Sequence, residues 1–306
     1  MTGLDLMVDR LTLGGVQLSG TAKGDVWYVD AKIGNDSNDG QSWDSAFLTM
    51  SEAFSHLKSG DNIVTRGKVR EELTTPAGVF DVTIFGGGNK PRHADDHTEA
   101  GTSTGTRGSS SATWTTPASP TAATPLLIIQ QQGWRLVDIL FDGPSDAAAV
   151  QIFRDGGAGD AERDGSHAHI VGCKFVAGQD HIEFKGGPSQ VCIEDNVLFG
   201  ATTTSIKNTT GAGIGTDNYF VIQNNHFHNN VNHIVVPMNY GTIRNNTFGK
   251  KTTTGISLSG GSENMVYGNA LYGTYSIAGG YTAGTNDEWG GNYNSLSGGV
   301  TAADPA

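Results

Sequence analysis

The feature that most constrains this chain is a six-residue phrase that returns at intervals too long for a helix and too irregular for a coiled coil. It reads "IEDNVL" at 193 to 198, "IQNNHF" at 222 to 227 and "IRNNTF" at 243 to 248. Looser copies are "LVDILF" at 136 to 141, "IVGCKF" at 170 to 175 and "VYGNAL" at 266 to 271. The phrases close on Phe141, Phe175, Leu198, Phe227, Phe248 and Leu271, which are 34, 23, 29, 21 and 23 residues apart. A second apolar anchor follows each of the later five, at Ile182, Ile206, Ile234, Ile256 and Ile277. Fragments such as "HIEF", "HIVV" and "GISL" carry these anchors with apolar residues two apart, the period of a strand. Two short strands per unit, separated by Gly/Asn/Thr corners, predict the coil of a solenoid. One coil cannot bury its own inner face, but a stack of coils can.

The fourth position of the phrase is Asn196, Asn225, Asn246 and Asn269 in the last four copies. Asparagine tolerates the left-handed backbone of a sharp corner, and its amide can bond nearby backbone. In register, the four predict a stacked amide ladder with a structural role; ordinary loop asparagines are the plainer alternative. Composition agrees with a turn-rich β protein: 44 of 306 residues are glycine, about twice the usual share near 7%, and only 16% are charged. The net charge of −12 argues against a nucleic-acid groove, which needs clustered Lys and Arg. It favours a surface that repels other polyanions.

Near the start, "DVWYVDAKIGNDSNDGQSWDSAFLTMSEAFSHLKSGDNIVTRG" spans Asp25 to Gly67. Within it Phe47, Met50, Phe54 and Leu57 form one helical stripe, with Asp44 or Ser45 able to cap its start and Gly60 its end. An amphipathic helix laid over the first coil would hide its open edge. The recurring phrase and this entrance together resemble the right-handed parallel β-helix of the pectin-lyase-like superfamily, over about residues 25 to 280. Many members open with a similar Tyr-Val-Asp strand, "GNDSNDG"-like loop, amphipathic helix and "GD-x-I" strand. The resemblance implies an all-β solenoid with an N-terminal capping α-helix.

The remaining segments divide around that solenoid. Residues 1 to 24 contain "RLTLGGVQLSG", a hairpin or an arm, and 25 to 88 hold the helix and first coils. Residues 89 to 124 are rich in Ser, Thr, Gly, Ala and Pro and predict a long loop pinned to a surface by Trp114. The coils occupy 125 to 280. Residues 281 to 306 are too polar and glycine-rich to predict another full coil, and Trp289 is their anchor. Neither a signal peptide nor a membrane span is expected. Cys173 aligns with Asn196 and Cys192 with His169, four strand residues apart, or about 13 Å, so both cysteines are expected reduced.

The superfamily includes polysaccharide lyases and hydrolases, whose acidic groups project outward from neighbouring coils, so the outward columns of this chain bear on catalysis. They read Val171, Glu194, Gln223, Arg244, Tyr267; then Glu183, Lys207, Val235, Ser257, Ala278; then Lys174, Val197, His226, Thr247, Ala270. No column stacks two carboxylates on adjacent coils, as a bond-flanking acid pair would require. Glu183 and Lys207 are expected to form a surface ion pair. The "GHG", "NTD" and "RIK" signatures of polygalacturonase-like members are absent. "HADDH" (His93 to His97) predicts a solvated loop, "DSNDG" (Asp36 to Gly40) a turn, and His226, His228 and His233 polar surface; Asp180 has no evident partner. No catalytic residue, metal or cofactor is therefore expected.

The resemblance then implies a non-enzymatic phage virion protein: a spike, fibre or head decoration. It implies a homotrimer, attached to other virion proteins through residues 1 to 24, assembled in the host cytoplasm and free to meet host glycans. No nucleic acid or membrane partner is expected. Two alternatives stand beside it. One is a polysaccharide lyase or glycoside hydrolase with a site between subunits. The other is a carbohydrate-binding module that stacks sugars on Trp114, Tyr272 or Tyr275.

Overall fold

The computed structural model describes residues 10–13, 16–19, 24–86, 112–155, 163–209, 219–272, 276 and 279–294. It is a right-handed parallel β-helix with one short helix. Its walls are three parallel sheets, each contributing one inward column of apolar side chains. The first column runs Trp27, Ile63, Ile84, Leu136, Ile170, Ile193, Ile222, Ile243, Val266 and Trp289. The second runs Val69, Trp114, Phe141, Phe175, Leu198, Phe227 and Phe248. The third runs Leu73, Leu127, Val150, Ile182, Ile206, Ile234, Ile256 and Tyr281. All three lie in one continuous buried core, with only Leu73 partly exposed at its edge, and Leu271 also joins it.

The phrase turns from the first sheet to the second, and its third residue makes the turn. Asp138, Gly172, Asp195, Asn224, Asn245, Gly268 and Gly291 all have φ between 55° and 67°. The left-handed corner therefore belongs to the residue before the ladder asparagine, a correction to the sequence reading. At Gly172 an added Cβ would lie 2.4 Å from Asp138 Oδ1, so a side chain there would require the Asp138 carboxylate to move. Freed from the corner, Asn196, Asn225, Asn246 and Asn269 point inward, each 1% exposed. Asn225 N and Nδ2 both donate to Asn246 Oδ1 at 2.9 and 3.0 Å, and Nδ2 also donates to Ile193 O at 2.9 Å. The same geometry links Asn196 to Asn225, Asn246 to Asn269, and Asn269 to Asn292. In the coil below, Cys173 N donates to Asn196 Oδ1 at 2.8 Å.

Helix α1 spans Met50–His56 and starts later than the stripe suggests. Its cap is Thr49, whose Oγ1 accepts from Glu52 N, rather than Asp44 or Ser45. The Glu71 carboxylate accepts from Met50 N and Ser51 N at 2.7 and 2.8 Å, satisfying donors that the helix leaves free. Phe47 lies before the helix in a bridge to Val29, Leu57 is the C-cap, and Gly60 sits in the following turn. Phe47, Met50, Phe54 and Leu57 are nonetheless all buried. Phe54 meets the edge of Trp134, and Phe47 stacks near Trp27, the first residue of its column. In the Asp36–Gly40 segment, a turn, Asp36 accepts from Leu48 N, Thr49 N and Thr49 Oγ1.

Two segment boundaries need correction. Trp114 lies on the strand Ala112–Thr115 inside the second sheet, stacked on Phe141, so it belongs to the core and the insert ends earlier than 124. Residues 281–294 build a further coil, with Tyr281 beside Ile256, Trp289 beside Val266 and Tyr293 beside Ala270. It puts Tyr281 and Trp289 where earlier coils use Ile or Val, and Asn294 where they use Phe or Leu, which hid it. Ile277, Ala278, Tyr275 and the His93–His97 cluster lie outside the described residues. The strands Arg10–Leu13 and Val16–Ser19 pair with each other as an antiparallel hairpin. Among the described residues no helix is long and apolar enough to cross a membrane.

Candidate functional site

On the outward side of the first sheet, one side chain per coil joins a continuous polar chain. His169 Nε2 lies 2.8 Å from Glu194 Oε1. Gln223 Nε2 donates to Glu194 Oε2 at 2.5 Å and accepts, through Oε1, from Arg244 Nε at 2.7 Å. Arg244 Nη1 then donates to Tyr267 Oη at 3.0 Å. Register explains the chain, since Glu194, Gln223, Arg244 and Tyr267 are direct neighbours on successive strands about 4.8 Å apart. Cys192 sits beside it, half-buried, with its thiol pushed up to about 12 by burial and by the charges of Glu194 and Asp195.

A tyrosine pair stands on the same wall, four residues before Gln223 and Arg244. Tyr219 and Tyr240 precede the strands Val221–Gln223 and Thr242–Arg244 at the corner where the chain enters the first sheet. They are 47% and 42% exposed, and their rings stack with centroids 5.3 Å apart. Both adopt the left-handed backbone, at φ 46° and 53°, in a column with Gln190, Glu263 and Asn286. A bulky side chain there costs roughly 1–2 kcal/mol that glycine or asparagine would largely avoid. The same corner recurs at Gln190, Glu263 and Asn286, so the backbone strain comes with the coil, and what sets Tyr219 and Tyr240 apart is a pair of stacked, exposed rings. Sequence reading missed the pair because they stand 21 residues apart and belong to no phrase. Of the aromatic platforms considered from sequence, Trp114 is buried and Tyr272 lies exposed with its carbonyl accepting from Tyr281 Oη.

On the third sheet the structure corrects three expectations. Asp180 has a partner: Lys207 Nζ lies 2.7 Å from its Oδ2 and 3.6 Å from Glu183 Oε1. Glu183 and Lys207 are not a surface pair, because Glu183 is buried and also accepts from Gln151 Nε2 and Thr209 Oγ1. Burial raises the Asp180 carboxyl above its usual range, against the opposing pull of Lys207 and the Thr204 N–H. Burial alone would lower the Lys207 ammonium, but Asp180 and Glu183 outweigh it and raise it. The two acids share one cation on a single strand, an arrangement invisible to coil-by-coil comparison.

The third correction concerns histidine. His226 and His228 are half-buried, whereas His233 is fully buried, bonded to Asn230 Nδ2 through Nδ1 and to Gly249 O through Nε2. His181 is buried likewise, against Ser205 Oγ and Ala177 O. The cysteines are both free.

A family model described as periplasmic copper-binding protein (NosD) matches residues 164–299, less than half of the chain. No curated protein matches. Among solved structures, a complex of XylC with xylose is similar over 88% of this chain and 68% of that one, at 12% identity and a TM-score of 0.54. Pectate lyase Pel9A is similar over 84% of this chain and 66% of that one, at 12% identity and a TM-score of 0.51. This chain thus spans about two thirds of the length of either. At such identity the likeness is one of fold, a parallel β-helix.

Proposed function

We propose that this chain is a non-enzymatic structural protein of a phage particle whose first sheet binds host-surface glycans. The observation that carries the glycan reading is the exposed Tyr219–Tyr240 stack on the same wall as the polar chain from His169 to Tyr267. A sugar ring offers an apolar face to an aromatic platform, while its hydroxyls need donors and acceptors held at fixed positions. A rigid stack of coils supplies both within a few strand residues. The net charge of −12 favours neutral over acidic glycans. The virion reading adds a homotrimer attached through residues 1 to 24, and the separate hairpin of Arg10–Leu13 with Val16–Ser19 suits an attachment arm.

A glycan panel tests the binding site. Tyr219→Asn and Tyr240→Asn should each weaken binding at least about tenfold, as loss of an aromatic anchor does. Both should keep or raise the unfolding temperature, because asparagine relieves the corner. Retained binding in both variants sinks the platform. The same panel addresses the second reading, a polysaccharide lyase or glycoside hydrolase, which the paired carboxylates Asp180 and Glu183 favour. Release of reducing ends or unsaturated sugars that Asp180→Asn abolishes would establish the enzyme instead. For the virion arm, a chain lacking residues 1 to 24 should fold but fail to enter particles. Unchanged incorporation would overturn that assignment.

A further inference from the structure

We propose that His169, Cys192 and Glu194 form a binding site for one divalent transition-metal ion of the zinc class. Their ligand atoms, His169 Nδ1 or Nε2, Cys192 Sγ and a Glu194 oxygen, all lie within 4.8 Å of one another. The backbone brings them together. His169 and Cys192 are register partners on adjacent strands, and Glu194 follows Cys192 by two residues, so it leaves the strand on the same side. Small rotations of three half-buried side chains would bring each donor to the 2.0–2.3 Å or so that zinc requires.

The donor set selects the ion. One imidazole, one thiolate and one carboxylate suit a borderline cation, whereas calcium and magnesium take oxygen ligands. Three protein ligands leave a fourth tetrahedral position for water or another ligand. The outer contacts are already in place: Gln223 Nε2 holds Glu194 Oε2, Arg244 holds Gln223, and Glu194 Oε1 is left facing His169 Nε2 at 2.8 Å. Such partners orient a ligating carboxylate and fix its free oxygen.

The cluster is local and does not follow from the coil repeat. In the same two columns the coil before has Arg135 and Val137, and the coils after Cys192 have Val221 and Thr242. The chain's other cysteine, Cys173, is buried in the core with its Sγ near Leu136 O and Val171 O. Any outward thiolate signal must therefore come from Cys192. The site is drawn from these side chains alone and does not depend on glycan binding.

Titration of the full chain with Co²⁺, monitored by absorption, tests it. The expected result is one Co²⁺ per chain with a thiolate-to-cobalt charge-transfer band in the near ultraviolet, both reversed by one equivalent of Zn²⁺. Cys192→Ser should remove the band, and His169→Ala should weaken Co²⁺ binding at least about 100-fold, beyond the 10- to 100-fold that outer contacts alone are worth. Glu194→Gln, which keeps shape and hydrogen-bonding capacity, should weaken binding at least about tenfold while keeping the band. It also serves as the decisive variant should Cys192→Ser fail to fold. A wild-type chain without the band, a Cys192→Ser chain that keeps it, or a Glu194→Gln chain with unchanged affinity would each overturn the site.

Discussion

Replacing Asn246 with alanine is expected to lower the unfolding free energy by about 3–5 kcal/mol, while replacing its neighbour Asn245 with glycine changes it by less than about 1 kcal/mol. The two residues are adjacent and identical, so only their places in the coil separate them. Asn246 is 1% exposed, and its Oδ1 accepts from both Asn225 N and Asn225 Nδ2. Its Nδ2 donates to Ile222 O and to Asn269 Oδ1. Alanine would strand the Asn225 N–H and remove the side-chain donor to the Ile222 carbonyl in a water-free interior, at about 1–3 kcal/mol per orphaned group. Asn245 is exposed and left-handed at φ 55°, a backbone that glycine adopts without strain. Urea unfolding of both variants measures the difference. Near-equal midpoints would mean that the buried amides are not what locks one coil to the next.

The ladder also has a direction that explains its end groups. Along the ladder each Oδ1 accepts from the coil before it while N and Nδ2 donate to the Oδ1 of the coil after it, so at the terminal member the ladder requires only the oxygen, and Asn292 Nδ2 is left to donate to Val266 O at 2.9 Å. A second, shorter ladder at another corner shows the consequence. Gly241 N donates to Asn264 Oδ1, while Asn264 N and Nδ2 donate to Asp287 Oδ1. An aspartate can stand at that last step because it is never asked for a proton.

The second large effect is loss of stability in acid. Burial holds His181 down to about 3 and His233 down to about 4, and neighbouring positive charge adds to the effect, from His233 on His181 and from Lys251, His228 and His226 on His233. Both rings are thus neutral when folded, whereas in the unfolded chain each takes a proton near 6.5. Below 6.5 the unfolded state binds more protons. The stabilisation these histidines provide is therefore complete above 6.5 and drains away as pH falls towards 4 and then 3. Two pH units below 6.5, the pair together should have forfeited roughly 5 kcal/mol.

Other groups shape the same window. Asp180 and Glu71 are raised, mainly by burial, and take up protons more readily when folded, so they oppose the histidines as pH falls. Asp30 and Asp164 are lowered despite their burial, Asp30 chiefly by Arg66 and Asp164 chiefly by Ser166 and Gln132, and their contribution is lost only below about 3.8. Comparing urea midpoints of wild type and a His181→Gln, His233→Gln double variant between pH 7.5 and 4.5 isolates the histidine share. The wild-type curve should fall more steeply. Parallel curves would show that the rings take up protons without unfolding the chain.

How much of this was legible beforehand depends on which distances matter. The Ile-to-Phe phrase located the first and second inner columns because a strand alternates its faces with a period of two, and the phrase carries two strands around a fixed corner. The same register set Cys192 beside His169 before any coordinates. Trp114 and the coil at 281–294 escaped because their anchors depart from the Ile-to-Phe phrase, being Trp114, Tyr281 and Trp289, set among residues that elsewhere make loops. The pairing of Asp180 with Glu183 escaped for another reason. His181, Ile182 and Phe184 are all buried, His181 packing its ring near Phe175, so the strand Asp180–Lys185 does not keep simple alternation at its start. Two carboxylates of one strand therefore meet the same lysine.

The order of apolar residues along this chain was enough to determine that it coils, where the Ile and Phe anchors line the bore and where the amide ladder runs, because those follow from local periodicity and repetition. Only the tertiary structure decided which outward side chains meet: the Tyr219–Tyr240 stack, the chain from His169 to Tyr267, and the buried Asp180–Lys207 pair. Outward positions are free of the packing demand that makes inner ones repeat. Their partnerships depend on loop lengths, corner dihedrals and side-chain rotation, which no periodicity records.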